Sequence, residues 1–180
     1  MPIVRNKKIE VLFDAETIAR RNRELAEEIA LADLKNLLVI SILKGSFVFA
    51  ADLIRALHGA GLAPEVEFIS VSSYGAGTQA GKLRLLRDVE TDVAGRDVLL
   101  IDDILESGNT LKFTRDLMLD RGARKAAIVA LLDKSMKRKT PITADFVGFH
   151  CPDKFVVGYG MDVGHAFREL PFVGVVTGEA

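Results

Sequence analysis

Between Ala15 and Leu31 the apolar residues Ile18, Leu25 and Ile29 recur at helical spacing, Arg and Glu occupy the opposite side, and Asp14 is placed to cap the start. The pattern then changes character. "LLVISIL" (37–43) is apolar almost throughout, as in a strand covered on both faces, and "KGS" leads into "FVFAADLIRAL", a helix stopped by Gly59 and Gly61. "EVEFISVSS" alternates as a strand, "YGAGTQAG" (74–81) reads as a long loop of the kind that often forms a lid, and "KLRLLRDV" returns as a strand. "RDVLLIDD" is the third strong strand. Leu111, Thr114, Leu117 and Met118 mark one face of the helix after it, Gly122 ends that helix, and "KAAIVALL" supplies a fourth strand.

Apolar strands alternating with helices imply a mostly parallel sheet, because parallel neighbours need crossovers and those crossovers cover both faces. The expected class is α/β, in one domain over 1–180, with ligands bound beyond the carboxyl ends of the strands. After the basic, proline-containing "KSMKRKTP" only short apolar segments remain, "DFVGF", "KFVVGYG" and "PFVGVV", with no long helix between them. No internal repeat, low-complexity tract or linker interrupts the chain.

The stretch "VLLIDDILESGNTL" (98–111) carries the most chemistry. A central strand over 98–101 would deliver Asp102 and Asp103 to its carboxyl end, with Glu106 to Thr110 turning into the next helix. Such a turn offers unpaired backbone N–H groups, Ser107 and Thr110 add hydroxyls, and Gly108 permits close approach, so a phosphate would fit. Adjacent carboxylates can accept from two neighbouring sugar hydroxyls or hold a divalent cation. The residue types alone fit equally well with aspartates as turn formers and Ser107 as a helix cap. Two rival phosphate motifs fail: "GTQAGKL" has the wrong glycine spacing for a Walker A loop and Leu83 where Ser or Thr must stand, and "GAGTQAG" opens no helix.

Composition narrows the classes. With 49% hydrophobic and 27% charged residues, a 180-residue chain can bury a real core. Lys plus Arg number 24 against 25 Asp plus Glu, a net charge of -1, so no global field draws nucleic acid or an acidic membrane and any anion site must be local. Cys151 is the only cysteine, which excludes an internal disulfide and suits a small buried hydrophobe in a reducing cytosol. The N-terminus lacks an apolar h-region and no apolar run could span a bilayer, so a soluble, cytoplasmic protein without membrane contact is expected. His58, His150 and His165 show no ligand spacing and receive no chemistry.

Strand, Asp102, Asp103, two apolar residues, then Glu106, Ser107, Gly108, Asn109 and Thr110 together resemble the diphosphate-sugar signature of type I phosphoribosyltransferases. With "LKGS" (43–46), "SSYG" (72–75), Lys134 after "VALLD", and "DKFVVGYGMD" through "FREL" (153–170), nearly the whole chain resembles the hypoxanthine-guanine phosphoribosyltransferases. The resemblance implies a twisted, mostly parallel sheet flanked by helices, with a small hood built from the terminal segments. It also implies the reaction of a 6-oxopurine with 5-phosphoribosyl 1-diphosphate, with Mg²⁺ as cofactor and pyrophosphate released. On that pattern Ser107 to Thr110 hold the 5′-phosphate, Asp102 and Asp103 bind the ribose hydroxyls and help with the metal, and Asp162 is a further metal ligand. Backbone at Lys44 and Gly45 holds pyrophosphate through a non-proline cis peptide, and Arg168 bonds it by charge. Phe155 stacks on the purine, Val156 meets its edge through backbone, Lys134 donates to the 6-oxo group, and Ser73 and Tyr74 begin a lid that excludes water. A homodimer or homotetramer is expected on the same ground.

One residue departs from the pattern. Where Glu106 stands the family usually has aspartate, whose carboxylate serves in proton transfer near N7 of the purine; the extra methylene extends reach by roughly 1.5 Å where displacements near 1 Å can cost about a hundredfold. The expectation is that Glu106 remains the general acid/base in a re-spaced pocket. In isolation, Phe155 and Val156 also read as a core strand and Lys134 as the first charge of a solvated run. The rival functions are a diphosphate-sugar sensor that binds RNA or DNA, for which "KSMKRK" is the only support, and a transferase for xanthine or another base.

Overall fold

The computed structural model describes residues 1–74 and 82–179. In chain order the elements are β1 (Ile3–Val4), β2 (Lys7–Phe13), α1 (Ala15–Leu31), β3 (Leu38–Leu43), α2 (Phe47–Gly59), β4 (Glu65–Tyr74), β5 (Lys82–Arg87), β6 (Asp97–Leu105), α3 (Asn109–Asp120), β7 (Lys125–Asp133), a 3₁₀ turn (Ser135–Lys137), β8 (Phe146–His150), β9 (Val156–Val157) and β10 (Val173–Glu179).

The continuous apolar runs become the inner strands of a six-stranded sheet in the order β5-β4-β3-β6-β7-β8, parallel throughout except for β5. Alternate residues of β3 and β6 feed two cores. Val39, Leu99 and Ile101 pack with α1 and α2 through Ile18, Leu25, Phe49 and Leu53, while Leu38, Ile40, Val98 and Leu100 pack with α3 through Leu111 and Met118. That two-sided burial is why these strands show no polar alternation. α1 starts where Asp14 accepts from the Thr17 amide at 2.8 Å, a side-chain cap for an otherwise orphaned donor. The guanidinium of Arg21, on the same helix, donates to the Val147 and Gly148 carbonyls of β8.

A second sheet, β1-β2-β10-β9, joins the two ends of the chain and forms the expected hood. The loop expected over 74–81, and with it the side chains of Ser73 and Tyr74, lies outside the described residues.

Strand order fixes where a ligand can sit. From β3 the chain steps to β4 on one side, whereas β6, β7 and β8 build outward on the other, so the carboxyl ends of β3 and β6 part at a topological switch point. Two boundaries differ from expectation. β6 continues through the aspartates to Leu105, because Ile104 and Leu105 still pair with Leu132 and Asp133 of β7, and α3 begins at Asn109, two residues early. The turn is therefore confined to Glu106, Ser107 and Gly108.

Candidate active site

β3 pairs with β6 only as far as Ser41 and Ile101. Beyond that register β3 runs into α2, and the aspartates of β6 lose a neighbour on that side. A cleft of about 640 Å³ opens there, lined by Lys44, Gly45, Asp103, Glu106, Lys134, Phe155, Val156, Asp162 and Arg168. A smaller cavity of about 260 Å³ adjoins it, lined by Asp102, Ser107, Gly108 and Thr110. The residues expected at the site, from Lys44 to Arg168, thus converge from five segments of chain, with two exceptions: the side chains of Ser73 and Tyr74 lie outside the described residues, and Asn109 lines neither cavity, its Oδ1 accepting instead from the Thr140 hydroxyl.

Asp102 is buried and Asp103 half-buried. Their carboxylates accept from the amides of the next residue in each case, Asp103 at 3.0 Å and Ile104 at 2.9 Å. Burial pushes both carboxyls above the ordinary aspartate range, Asp102 well above it because the charge of Asp103 also repels its own. Asp103 is held back by hydrogen bonds from Asp102 and the Ile104 amide and by the charge of Arg168. Gly45 lies against this pair: a Cβ added there would stand 2.9 Å from Asp103 Cγ and nearer still to its Oδ2. The Leu43–Lys44 peptide is cis, as the resemblance implied.

Behind the smaller cavity the turn shows its carbonyls to the protein. Ser107 O accepts from the amides of Lys139 and Thr140, both at 3.1 Å, and Gly108 O accepts from Lys112 at 2.9 Å. Gly108 has φ +86°, and a side chain there would meet Ile142 Cγ2 at 2.5 Å, so the position requires glycine on both counts. The amides of Ser107 and Gly108 donate to no protein group among the described residues. They sit at the N-terminus of α3, which suits an anion.

The far wall of the larger cleft differs from what its residues suggest in isolation. Lys134 is buried rather than solvated; its Nζ donates to the Lys154 carbonyl at 2.6 Å and lies 3.9 Å from Glu106 Oε1. Phe155 is 64% exposed on the cleft wall, so it is not a core residue, whereas Val156 is buried in β9. Arg168 pairs with Asp162 at 2.9 Å and donates to the Gly160 carbonyl at 2.6 Å. Asp162 also accepts from the His165 amide at 2.7 Å.

Two features escaped the sequence. Lys137 and Asp153 pair at 2.9 Å on the cleft wall, and Arg138 turns inward under the turn at Glu106–Gly108. Both lysine and arginine had read only as members of a basic run, and no spacing rule separates an inward cation from an outward one. Cys151 is buried, as expected, and all three histidines are exposed.

The donor set at the aspartates is all oxygen, and two adjacent carboxylates, one buried and one half-buried, fit a hard divalent cation such as Mg²⁺. No group of three or more His, Cys, Asp or Glu gathers as a ligand cluster among the described residues. A cation here would therefore share its shell with substrate oxygens and water.

A family model described as the phosphoribosyl transferase domain matches residues 8–163. The chain is 42% identical over 179 residues to the hypoxanthine-guanine phosphoribosyltransferase of Aquifex aeolicus, covering 98% of this chain and 99% of that one. Among solved structures it resembles Trypanosoma cruzi hypoxanthine phosphoribosyltransferase in complex with the product IMP, with TM-score 0.89 and 36% identity over 98% of both chains. A glutamic acid mutant from an analysis of an invariant aspartic acid in HPRTs matches with TM-score 0.89 and 38% identity over 97% of both chains.

Proposed function

The chain belongs to the phosphoribosyl transferase family, and from that premise we propose that it is a purine salvage enzyme converting hypoxanthine, guanine or both to IMP and GMP. The observation that carries the reading is the buried Lys134 ammonium, aimed by the Lys154 carbonyl and facing Glu106 across a cleft whose far end is the phosphate turn. A lysine donor favours a 6-oxo over a 6-amino group.

In this reading the turn from Ser107 to Thr110 binds the 5′-phosphate. Asp102 and Asp103 orient the ribose hydroxyls, and Lys44, Gly45 and Arg168 receive the pyrophosphate. Phe155 stacks on the base, Val156 backbone meets its edge, and Ser73 and Tyr74 open the lid. N9 of the purine bonds to C1′ as the C1′–O bond to pyrophosphate breaks and the electron pair leaves with pyrophosphate. Glu106 takes the proton that the purine sheds. Leaving-group charge is met by the guanidinium of Arg168, which Asp162 and the Gly160 carbonyl hold in place. Asp102 and Asp103, and separately Asp162, are the carboxylates that would contribute to holding Mg²⁺, with substrate oxygens and water supplying the rest of its shell; when bound it would supply charge neutralisation for the diphosphate.

Cytoplasmic location and a homodimer or homotetramer belong to the same reading. The described residues contain no helix long and apolar enough to cross a membrane, and Phe47, Val66 and Phe68 remain exposed. The sensor alternative is less well supported, since in its basic run Lys134 is buried and Arg138 faces inward, which leaves only Lys137, paired with Asp153, and Lys139 exposed. The test is pyrophosphate release from 5-phosphoribosyl 1-diphosphate and Mg²⁺ with hypoxanthine, guanine, xanthine, adenine and uracil separately. Release with a 6-oxopurine and little with adenine is expected. Silence with every base defeats the enzyme, and release with xanthine alone reassigns the base.

A further inference from the structure

A peptide plane fixed at its carbonyl is fixed at its N–H, because the two point in opposite directions across a rigid trans amide. The carbonyls of the phosphate turn are therefore as informative as its amides. Glu106 O accepts from Arg138 Nε at 2.9 Å, and the opposite edge of that plane is the Ser107 N–H. Leu105 O accepts from the Lys134 amide at 3.0 Å and from an Arg138 terminal nitrogen at 3.1 Å. The other terminal nitrogen of Arg138 donates to Ile142 O at 2.7 Å, and the guanidinium also pairs with Asp133. Next along the chain, Lys139 and Thr140 hold Ser107 O, and the Thr140 hydroxyl donates to Asn109 Oδ1 at 2.5 Å.

We propose that Arg138 is the positioning residue of the phosphate turn, aiming the Ser107 amide at the 5′-phosphate and tying the turn to the end of β7, where Lys134 follows. The inference rests on the functional reading above and adds to it a residue that touches no substrate. Only a guanidinium can do this, since its planar fork reaches the carbonyls of Leu105, Glu106 and Ile142 and a carboxylate at once, whereas a lysine ammonium donates from one point. The inward course of the side chain also accounts for the close fit at Gly108, whose missing Cβ would stand 3.2 Å from Arg138 Cδ. Asp133, at the end of β7, adjoins Lys134, so one side chain sets the spacing between the phosphate site and the purine donor.

The experiment compares Arg138→Lys with wild type, titrating each calorimetrically with IMP and with inosine and measuring KM for both substrates. Arg138→Lys keeps a cation opposite Asp133 but loses the fork. Affinity for IMP should fall about tenfold or more, within the hundredfold that a misplacement near 1 Å can cost, while affinity for inosine stays within about twofold. KM for the diphosphate sugar should rise in step and KM for the base stay level. Unchanged preference for the 5′-phosphate, or equal losses for IMP and inosine, would overturn the proposal and leave Arg138 a merely structural residue. A wild type that releases no pyrophosphate would instead defeat the catalytic reading, while the IMP-to-inosine comparison still judges Arg138. If Arg138→Lys unfolds below the assay temperature, Thr140→Val loosens the same brace at Asn109, with a preference for IMP lowered about threefold as expected for one hydrogen bond; no change there would count against the brace.

Discussion

Gly45→Ala isolates the contact between the loop proposed to receive pyrophosphate and the acid pair. The added methyl would stand 2.9 Å from Asp103 Cγ, where carbon atoms ordinarily rest about 3.5–4.0 Å apart. The carboxylate must therefore withdraw by roughly 1 Å, and it can, because it ends a side chain while the methyl is fixed to backbone. Gly45 does not occupy the left-handed region, so alanine adds no backbone strain. Folding should accordingly be nearly untouched, with Tm within a few degrees of wild type, while kcat/KM for the diphosphate sugar falls on the order of a hundredfold. Steady-state pyrophosphate release at saturating hypoxanthine measures the loss. The same substitution placed in an Asp103→Ala background should cost little more, since the clashing group is gone; the two changes would then be strongly non-additive. A Gly45→Ala enzyme within threefold of wild type, or full additivity with Asp103→Ala, would refute the argument.

Other outcomes follow from the same geometry. Glu106→Gln should lower kcat by about a hundredfold or more, whereas Glu106→Asp stays closer to wild type; a Gln variant as fast as wild type would remove Glu106 from proton transfer. Burial raises Asp102 and Asp103 in the folded protein, so the unligated fold binds protons more tightly than the unfolded chain and loses stability as pH rises from the ordinary aspartate range through the raised values. Asp102→Asn should then raise Tm by a few degrees at neutral pH and change nothing in acid below the ordinary range, as scanning calorimetry can decide; a lowered neutral Tm would contradict it. Gly108→Ala meets both Ile142 and an unfavourable φ of +86°; it should cost about 1 kcal/mol or more by chemical denaturation. Chelation of divalent cations should abolish turnover and added Mg²⁺ restore it, and activity persisting in chelator would exclude the metal.

Local pattern carried the sheet and the acid pair because both are written in neighbouring residues. β3 and β6 are apolar on both faces, and the aspartates follow directly. The hood was legible only by resemblance. β2 finds its partner in β10, more than 150 residues away, and its own alternation leaves Val11 exposed, so no local signal distinguishes it from a loop. Lys134 and Arg138 show a different limit. A Lys/Arg run predicts solvation, yet the burial of Lys134 is compensated by the Lys154 carbonyl and the partial burial of Arg138 by three carbonyls and Asp133. Those acceptors come from distant segments. Phe155 reads as core by its apolar neighbours, since Val156 and Val157 are both buried, yet it stands just before their strand and its ring is left on the cleft wall.

The most direct measurement is the balance of products when the protein is incubated with hypoxanthine, Mg²⁺ and 5-phosphoribosyl 1-diphosphate and the mixture is resolved by chromatography. The account predicts IMP and pyrophosphate in equal amounts, with little pyrophosphate when the base is omitted. Cleavage of the diphosphate sugar without nucleotide, or no cleavage with any 6-oxopurine, would contradict it.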